Sequence, residues 1–249
     1  MAMRDIDTSI LDQHQRVALH FSGGKDSLAV AYLLKPYWDR LTFYHVDSGD
    51  LLPEVREIVD GIAREVPNFR RIQRDVLGWH AENGLPSDLV PTVNTPFGRM
   101  LGFAKRPVID RFFCCWSNIM APMRDAMRAD EMTLAIRGTK RADMPTLPHE
   151  GGDTGDGYDL WLPLLEWSDD DVFAYLAEVG APICRVYEHK AQSPECATCP
   201  AWWNEGRAAY LKKHHAGLFA EYRTKLELVA AEVFPHFDAM QAELDGCAE

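Results

Sequence analysis

The residues best suited to chemistry begin with Ser22-Gly23-Gly24-Lys25-Asp26-Ser27, which joins the apolar run Val17-Ala18-Leu19-His20-Phe21 to a helical run from Ser27 to Leu34. Paired glycines let backbone N–H groups approach an anion closely. The helix that follows adds unpaired N–H groups and a partial positive charge. Ser22, Lys25 and Ser27 add side-chain donors, so the segment reads as a site for a phosphorylated ligand. The chain also carries six cysteines, at 114, 115, 184, 196, 199 and 247. Cys114-Cys115 is an adjacent pair, and Cys196 and Cys199 form a CxxC after 80 intervening residues. Four thiolates from two distant pairs could hold an iron–sulfur cluster or a structural zinc. Adjacent cysteines reach different irons of a cluster more easily than one tetrahedral zinc.

These residues need elements to position them. Residues 17–21, 41–46, 132–136 and 160–165 read as strands, with 69–72 as a weaker one. Residues 27–34, 53–66 and 117–128 read as helices, with Pro122 disturbing the last. Ser168 caps a helix that Gly180 stops. Residues 75–110 show no sustained period and read as a long loop with one short helix. Residues 149–157 read as a mobile surface loop and 204–244 as helical. Strands alternating with helices imply an α/β fold: an open, mostly parallel, twisted sheet with flanking helices and a helical C-terminal extension. The expected division is 1–203 for the nucleotide-binding domain with its cysteine site, and 204–249 for the extension. In such sheets ligands bind beyond the carboxyl ends of the strands, where the strand order reverses. The phosphate loop, Asp47 and Gly138 all lie at strand ends, so they are expected to share one crevice.

Composition narrows the class. An apolar fraction of 47% fits a globular protein. The net charge of −12 argues against broad nucleic-acid binding. Small basic clusters stand at Arg70-Arg71 with Arg74, and at Arg137 with Lys140-Arg141. The polar, acidic N-terminus lacks the core of a signal peptide, and no apolar run reaches membrane-spanning length. A cytoplasmic location with no membrane association is expected, and there structural disulfides are disfavoured.

The loop is not a Walker motif, which needs Gly at the position of Leu19 and Ser or Thr at that of Asp26. It resembles the pyrophosphate loop (PP-loop) of ATP pyrophosphatases and sulfonucleotide reductases. Over residues 17–200 the chain resembles the phosphoadenylylsulfate/adenylylsulfate (PAPS/APS) reductase family. The loop, His45-Val46-Asp47-Ser48-Gly49, the segment from Gly138 to Thr146, and Leu162-Pro163-Leu164-Leu165-Glu166-Trp167 with Val172 and Tyr175 carry the resemblance. So does the cysteine spacing.

The resemblance implies that Ser22, Gly23, Gly24, Lys25, Asp26 and Ser27 hold the phosphates or sulfate of an adenine nucleotide. Asp47, Gly49 and Gly138 would line its crevice, and Lys140 and Arg141 would neutralise the anionic end of the substrate. Cys114, Cys115, Cys196 and Cys199 would bind a [4Fe–4S] cluster, with zinc as the alternative. A terminal Cys would attack sulfur, a position that Cys247 alone could fill, and a thioredoxin-like thiol reductant would release sulfite. A homo-oligomer is compatible with this reading.

Three departures stand out. Trp116-Ser117-Asn118-Ile119-Met120 carries no cation where the family has Arg or Lys. Leu147 follows Pro145-Thr146 where the family has Arg. The end Asp245-Gly246-Cys247-Ala248-Glu249 replaces the family's Glu-Cys-Gly-x-His tail. These favour the alternative of an ATP pyrophosphatase, which would use Mg²⁺-ATP to adenylate a substrate for sulfur or amine transfer.

Overall fold

The computed structural model describes residues 6–103, 108–143, 152–189, 196–201, 203 and 206–247. Its centre is a six-stranded sheet built from β1 (Val17–His20), β2 (Leu41–Asp47), β3 (Phe69–Gln73), β6 (Leu134–Ile136), β7 (Gly152–Asp153) and β8 (Asp159–Trp161). The order is β3-β2-β1-β6-β8-β7, parallel except for β7 against β8. The chain runs outward from β1 through β2 to β3, then returns to the other side of β1 with β6. The strand order therefore reverses between β1 and β6. Central strands covered on both faces must be apolar throughout. Accordingly Val17, Ala18, Leu19, Leu134, Ala135 and Ile136 are buried. Edge strand β3 is only half-buried, and its Arg70 and Arg71 pair with Asp130 and Asp60. That matches its weak sequence signal and a solvated basic face.

Helix α1 (Lys25–Leu33) follows the phosphate loop, and α2 (Pro53–Glu65) starts with proline in its first turn, where a missing N–H costs nothing. Ser168 and Asp171 close a reciprocal capping box on α7 (Asp169–Glu178), which packs on α1.

The expected long loop at 75–110 is in fact mostly structured. It contains α3 (Val76–Asn83), α4 (Pro96–Met100) and the strands β4 (Leu85–Ser87) and β5 (Val108–Asp110), which pair in parallel. Three-residue strands are too short to show a period. Leu85 and Val108 are instead buried by Val229 and Val233, from the far end of the chain.

The expected helix at 117–128 starts earlier. It runs as α5 (Arg111–Cys115), a π-helical turn (Trp116–Met120) and α6 (Ala121–Ala129). Pro122 cannot donate to a carbonyl four residues back, and the widened turn lies just before it. The expected strand at 160–165 is only Asp159–Trp161, ending two residues before Pro163. The Gly/Asp-rich loop is partly pinned, because Gly152–Asp153 pairs with the sheet edge. Residues 144–151, including Met144, Pro145, Thr146 and Leu147, lie outside the described residues. So do Asn204, Ala248 and Glu249.

The C-terminal part forms α8 (Arg207–His214) and α9 (Ala216–Gly246). Tyr210, Leu211 and Tyr222 enter the principal core, so the extension shares the core of the sheet. Glu54 of α2 clamps it there, accepting hydrogen bonds from Tyr210 Oη (2.7 Å), His215 Nε2 (2.9 Å) and Arg185 Nε (3.0 Å). Burial opposes ionisation of Glu54, but these donors outweigh it and hold its pKa at about 2, below the ordinary 4.5. A depressed folded-state value stabilises the fold above pH 4.5, and that stability fades as pH falls toward 2. Glu54→Gln is therefore expected to cost about 3 kcal/mol at neutral pH. In denaturant titrations its deficit should shrink below pH 4.5. A deficit constant down to pH 3 would refute the clamp.

Among the described residues no helix is long and apolar enough to cross a membrane.

Candidate active site

Positive φ at Gly23 (+83°) turns the chain out of β1. A side chain there would strike Val59 Cγ2 at 2.7 Å, so the loop packs flush on α2. Ser22 Oγ and Ser27 Oγ share a hydrogen bond of 3.2 Å across the loop, and Gly24 N–H donates to Ser22 Oγ at 3.3 Å. Lys25 N–H donates to Tyr187 Oη at 3.0 Å. Gly138, in the loop after β6, lies against this turn. A Cβ built on it would sit 2.7 Å from the Asp26 carbonyl carbon and 3.0 Å from Ser27 N. The two loops flanking the point of strand reversal are thus in backbone contact.

Beyond them opens a cavity of about 770 Å³, a size suited to a nucleotide. Ser22, Gly24, Asp26, Ser27 and Gly138 line it, together with Trp116 and Met120 from the turn after the cysteine pair. Arg124, Arg137, Thr154 and Asp156 also line it, and sequence reasoning assigned none of them to the site. Arg124 lies one helical turn past the cation-free segment Trp116–Met120, with its guanidinium 4.9 Å from the Trp116 ring centre. Thr154 and Asp156 come from the glycine-rich loop. His20 lines the floor, with Nε2 2.9 Å from Met127 Sδ. Burial, with help from Arg137, drops its pKa to about 3, so it is neutral at physiological pH.

The expected substrate-binding lysine has other partners. Lys140 is 1% exposed and pairs with Asp26 (2.8 Å), Asp143 (3.1 Å) and Asp169 (3.2 Å). Lys25, 5% exposed, pairs with Asp26 (2.9 Å) and Asp169 (2.7 Å). Burial works against the Lys140 charge, but Asp26 and Asp143 overcome it and raise its pKa. The network ties α1, the Gly138 loop and α7 together at the edge of the cavity, which Asp26 and Asp143 line. Arg141 is exposed and pairs with Glu166. Asp47 is buried beneath the β2 turn. It accepts from Gly49 N–H and Arg56 Nη1, both at 3.0 Å, which keep its carboxyl ionised despite burial. Neither Asp47 nor Gly49 lines the cavity, whereas Val46 and Leu51 do. Gly49 (φ +84°) brings the turn within 3.1 Å of the Arg74 carbonyl at its Cβ position.

The same turn reaches the second cysteine pair. Asp50 accepts from Thr198 N–H (3.1 Å) and Thr198 Oγ1 (2.8 Å), while its carbonyl takes Ala197 N–H (2.8 Å). Arg207, 3% exposed, donates to the Cys196 and Ala197 carbonyls, and its Nε and Nη2 find no partner. Lys225 of α9 pairs with Glu221 at 2.8 Å and bonds Thr198 Oγ1.

From the other side, His80 Nε2 lies 3.3 Å from Cys114 Sγ. Burial, with Lys225 nearby, brings the His80 pKa to about 4. The thiols sense one another. Burial, then the charges of Cys115 and Cys199, push the Cys114 thiol up. Burial, then Cys199 and Asp50, push Cys196 well up, and Cys114 adds to this. Burial also raises Cys199, against the pull of Arg207 and Lys225. The fold therefore brings the two distant pairs within electrostatic reach of each other. Among the described residues no three His, Cys, Asp or Glu side chains converge tightly enough to hold a single metal ion. Cys247 is exposed at the end of α9 and is not among the residues that line the cavity.

No family model matches the chain. The adenosine 5'-phosphosulfate reductase of Neisseria meningitidis serogroup B (strain ATCC BAA-335 / MC58) is 23% identical over 211 residues, spanning 80% of this chain and 81% of that protein. The enzyme of the same name from N. meningitidis serogroup A / serotype 4A (strain DSM 15465 / Z2491) is 26% identical over 163 residues, 63% of this chain and 60% of its own. Among solved structures, phosphoadenylyl-sulfate (PAPS) reductase from Candida auris, in a phosphate complex, aligns with a TM-score of 0.48 at 14% identity, over 72% of this chain and 80% of that one. The reductase-like motifs thus stand in order along the chain, the loop after β1 sits at the strand reversal of the sheet, and the chain is similar in sequence to these adenosine 5'-phosphosulfate reductases.

Proposed function

We propose that the protein is a sulfonucleotide reductase-like oxidoreductase whose nucleotide lies in the cavity between the phosphate loop and the turn after the cysteine pair. The carrying observation is that Ser22, Gly24 and Ser27 line the same cavity as Trp116 and Met120. The loop N–H groups would hold the anionic end, with Arg124 and Arg137 as the cavity's cations. Lys25 and Lys140 would hold the loop in shape and add charge from behind.

The four cysteines 114, 115, 196 and 199 fit a [4Fe–4S] cluster by donor chemistry, since thiolates from two pairs can each reach a different iron. Such a cluster would supply a local electrostatic field beside the nucleotide.

In the reaction, the Cys247 thiolate attacks the sulfur of an adenylyl sulfate. An S–S bond forms, the S–O bond to phosphate breaks, and AMP leaves with the electron pair. A dithiol reductant then gives up two electrons, becomes a disulfide and releases sulfite, restoring Cys247. For this the end of α9 must move. The helix is exposed beyond Val233, and Pro235 removes one of its backbone hydrogen bonds there.

The exposed position of Cys247 and the acidic Asp26 and Asp143 in the cavity wall favour one second reading. In it, Mg²⁺-ATP binds and pyrophosphate is released. Anaerobically purified protein given adenylyl sulfate, its 3'-phosphorylated form and ATP in turn separates the two. Sulfite with AMP is expected, and pyrophosphate with AMP would replace the reductase reading. Cys247→Ser should abolish sulfite release while leaving nucleotide affinity within about twofold. Full turnover in that variant would remove Cys247 from the mechanism.

A further inference from the structure

Cys114 receives attention from a residue that no motif announces. His80, on α3, is 6% exposed, and its Nε2 stands 3.3 Å from Cys114 Sγ. Its Nδ1 is buried without a partner. Asn118 approaches the same sulfur, with Nδ2 at 3.8 Å. The contact is held by packing, as the neighbouring Trp79 ring lies 5.9 Å from that of Phe113, the residue before Cys114. Among the described residues, one imidazole nitrogen has no hydrogen-bond partner and the other meets only sulfur.

A thiolate bound to iron carries no hydrogen. Any polar contact to it must come from a donor, so the nitrogen at 3.3 Å must bear the proton. We propose that His80 is a positioning residue of the cysteine site: its Nε2–H donates to the sulfur of Cys114 when that sulfur holds the cluster, tuning the reduction potential and slowing iron loss. This rests on the reading of the four cysteines as cluster ligands. A hydrogen bond to a ligand sulfur stabilises the extra negative charge of the reduced cluster. Loss of the bond should therefore lower the potential.

The test compares wild type, His80→Leu and His80→Gln after anaerobic iron–sulfur reconstitution. Midpoint potential and the rate of iron release to a chelator are read in each. His80→Leu should shift to a more negative potential and lose iron roughly tenfold faster or more. His80→Gln, which keeps an N–H donor, should stay near wild type. Equal potentials and rates in all three would overturn the proposal, as would equal damage in Leu and Gln variants, which marks a packing role alone. Wild type that takes up no iron would instead overturn the cluster reading. Should His80→Leu fail to fold, the wild type labelled with ¹⁵N-histidine decides. Pulsed electron paramagnetic resonance of the reduced cluster should show coupling to a histidine nitrogen, and its absence would refute the bond.

Discussion

Gly138→Ala is expected to lower kcat/KM for the nucleotide substrate by about a hundredfold while leaving the protein folded. The added methyl would lie 2.7 Å from the Asp26 carbonyl carbon, 2.8 Å from its oxygen and 3.0 Å from Ser27 N. These are backbone atoms, so no side chain can swing aside. The phosphate loop and the loop after β6 must instead separate by several tenths of an ångström. That disturbs the N–H groups meant for the anion and the Asp26–Lys140 contact behind them. The packing cost should be only about 1–3 kcal/mol, because the sheet beneath is untouched. Gly61→Ala is the control. It lies inside α2 with nothing within 4 Å of the new methyl, and it should stabilise the protein by roughly 0.5–1 kcal/mol with unchanged affinity. Calorimetric titration of the nucleotide checks both variants. Affinity and kcat/KM in Gly138→Ala within threefold of wild type would mean that the loop contact is not what shapes the site.

The second large effect is expected at Asp50. Its carboxylate and carbonyl bind three groups of the CxxC loop, two on Thr198 and one on Ala197. Asp50→Ala leaves Thr198 N–H buried without its acceptor, at a cost of roughly 2–3 kcal/mol. It also frees the segment carrying Cys196 and Cys199, so iron retention in reconstituted protein should fall about 10–100-fold. Asp50→Asn keeps an acceptor oxygen and should fall between wild type and alanine in both readouts. Thermal unfolding measures the first effect and iron content after gel filtration the second. Iron content equal to wild type in Asp50→Ala would show that the β2 turn does not organise the cysteine site.

These two positions mark the limits of what the sequence discloses. The phosphate loop could be located because its signal is local: a strand, paired glycines and a helix start are contiguous, and each imposes its own backbone geometry. The capping box at Ser168 and the apolar runs of β1, β2 and β6 are local in the same sense. Gly138 is legible as a strand-end glycine, but its reason for being glycine is contact with a turn more than a hundred residues earlier. Asp50 gave no signal at all. A buried aspartate gripping another loop looks, in sequence, like any acidic turn residue. Lys140 and Arg141 read as cations for the anionic end of a substrate, and their carboxylate partners distant in sequence (Asp26, Asp169 and Glu166) leave no mark in it.

The sequence alone determined the α/β alternation, the glycine turn between the first strand and helix, and the presence of two thiol pairs, since each rests on residues near one another in the chain. The tertiary structure alone decided that the strand order reverses between β1 and β6, so that the phosphate loop and Gly138 meet. It also decided that Asp50, His80, Arg207 and Lys225 surround the cysteines, and that Cys247 stands at the exposed end of α9. The physical reason is that short-range backbone preferences are written residue by residue. Ion pairing and burial depend instead on which distant segments the hydrophobic core brings side by side.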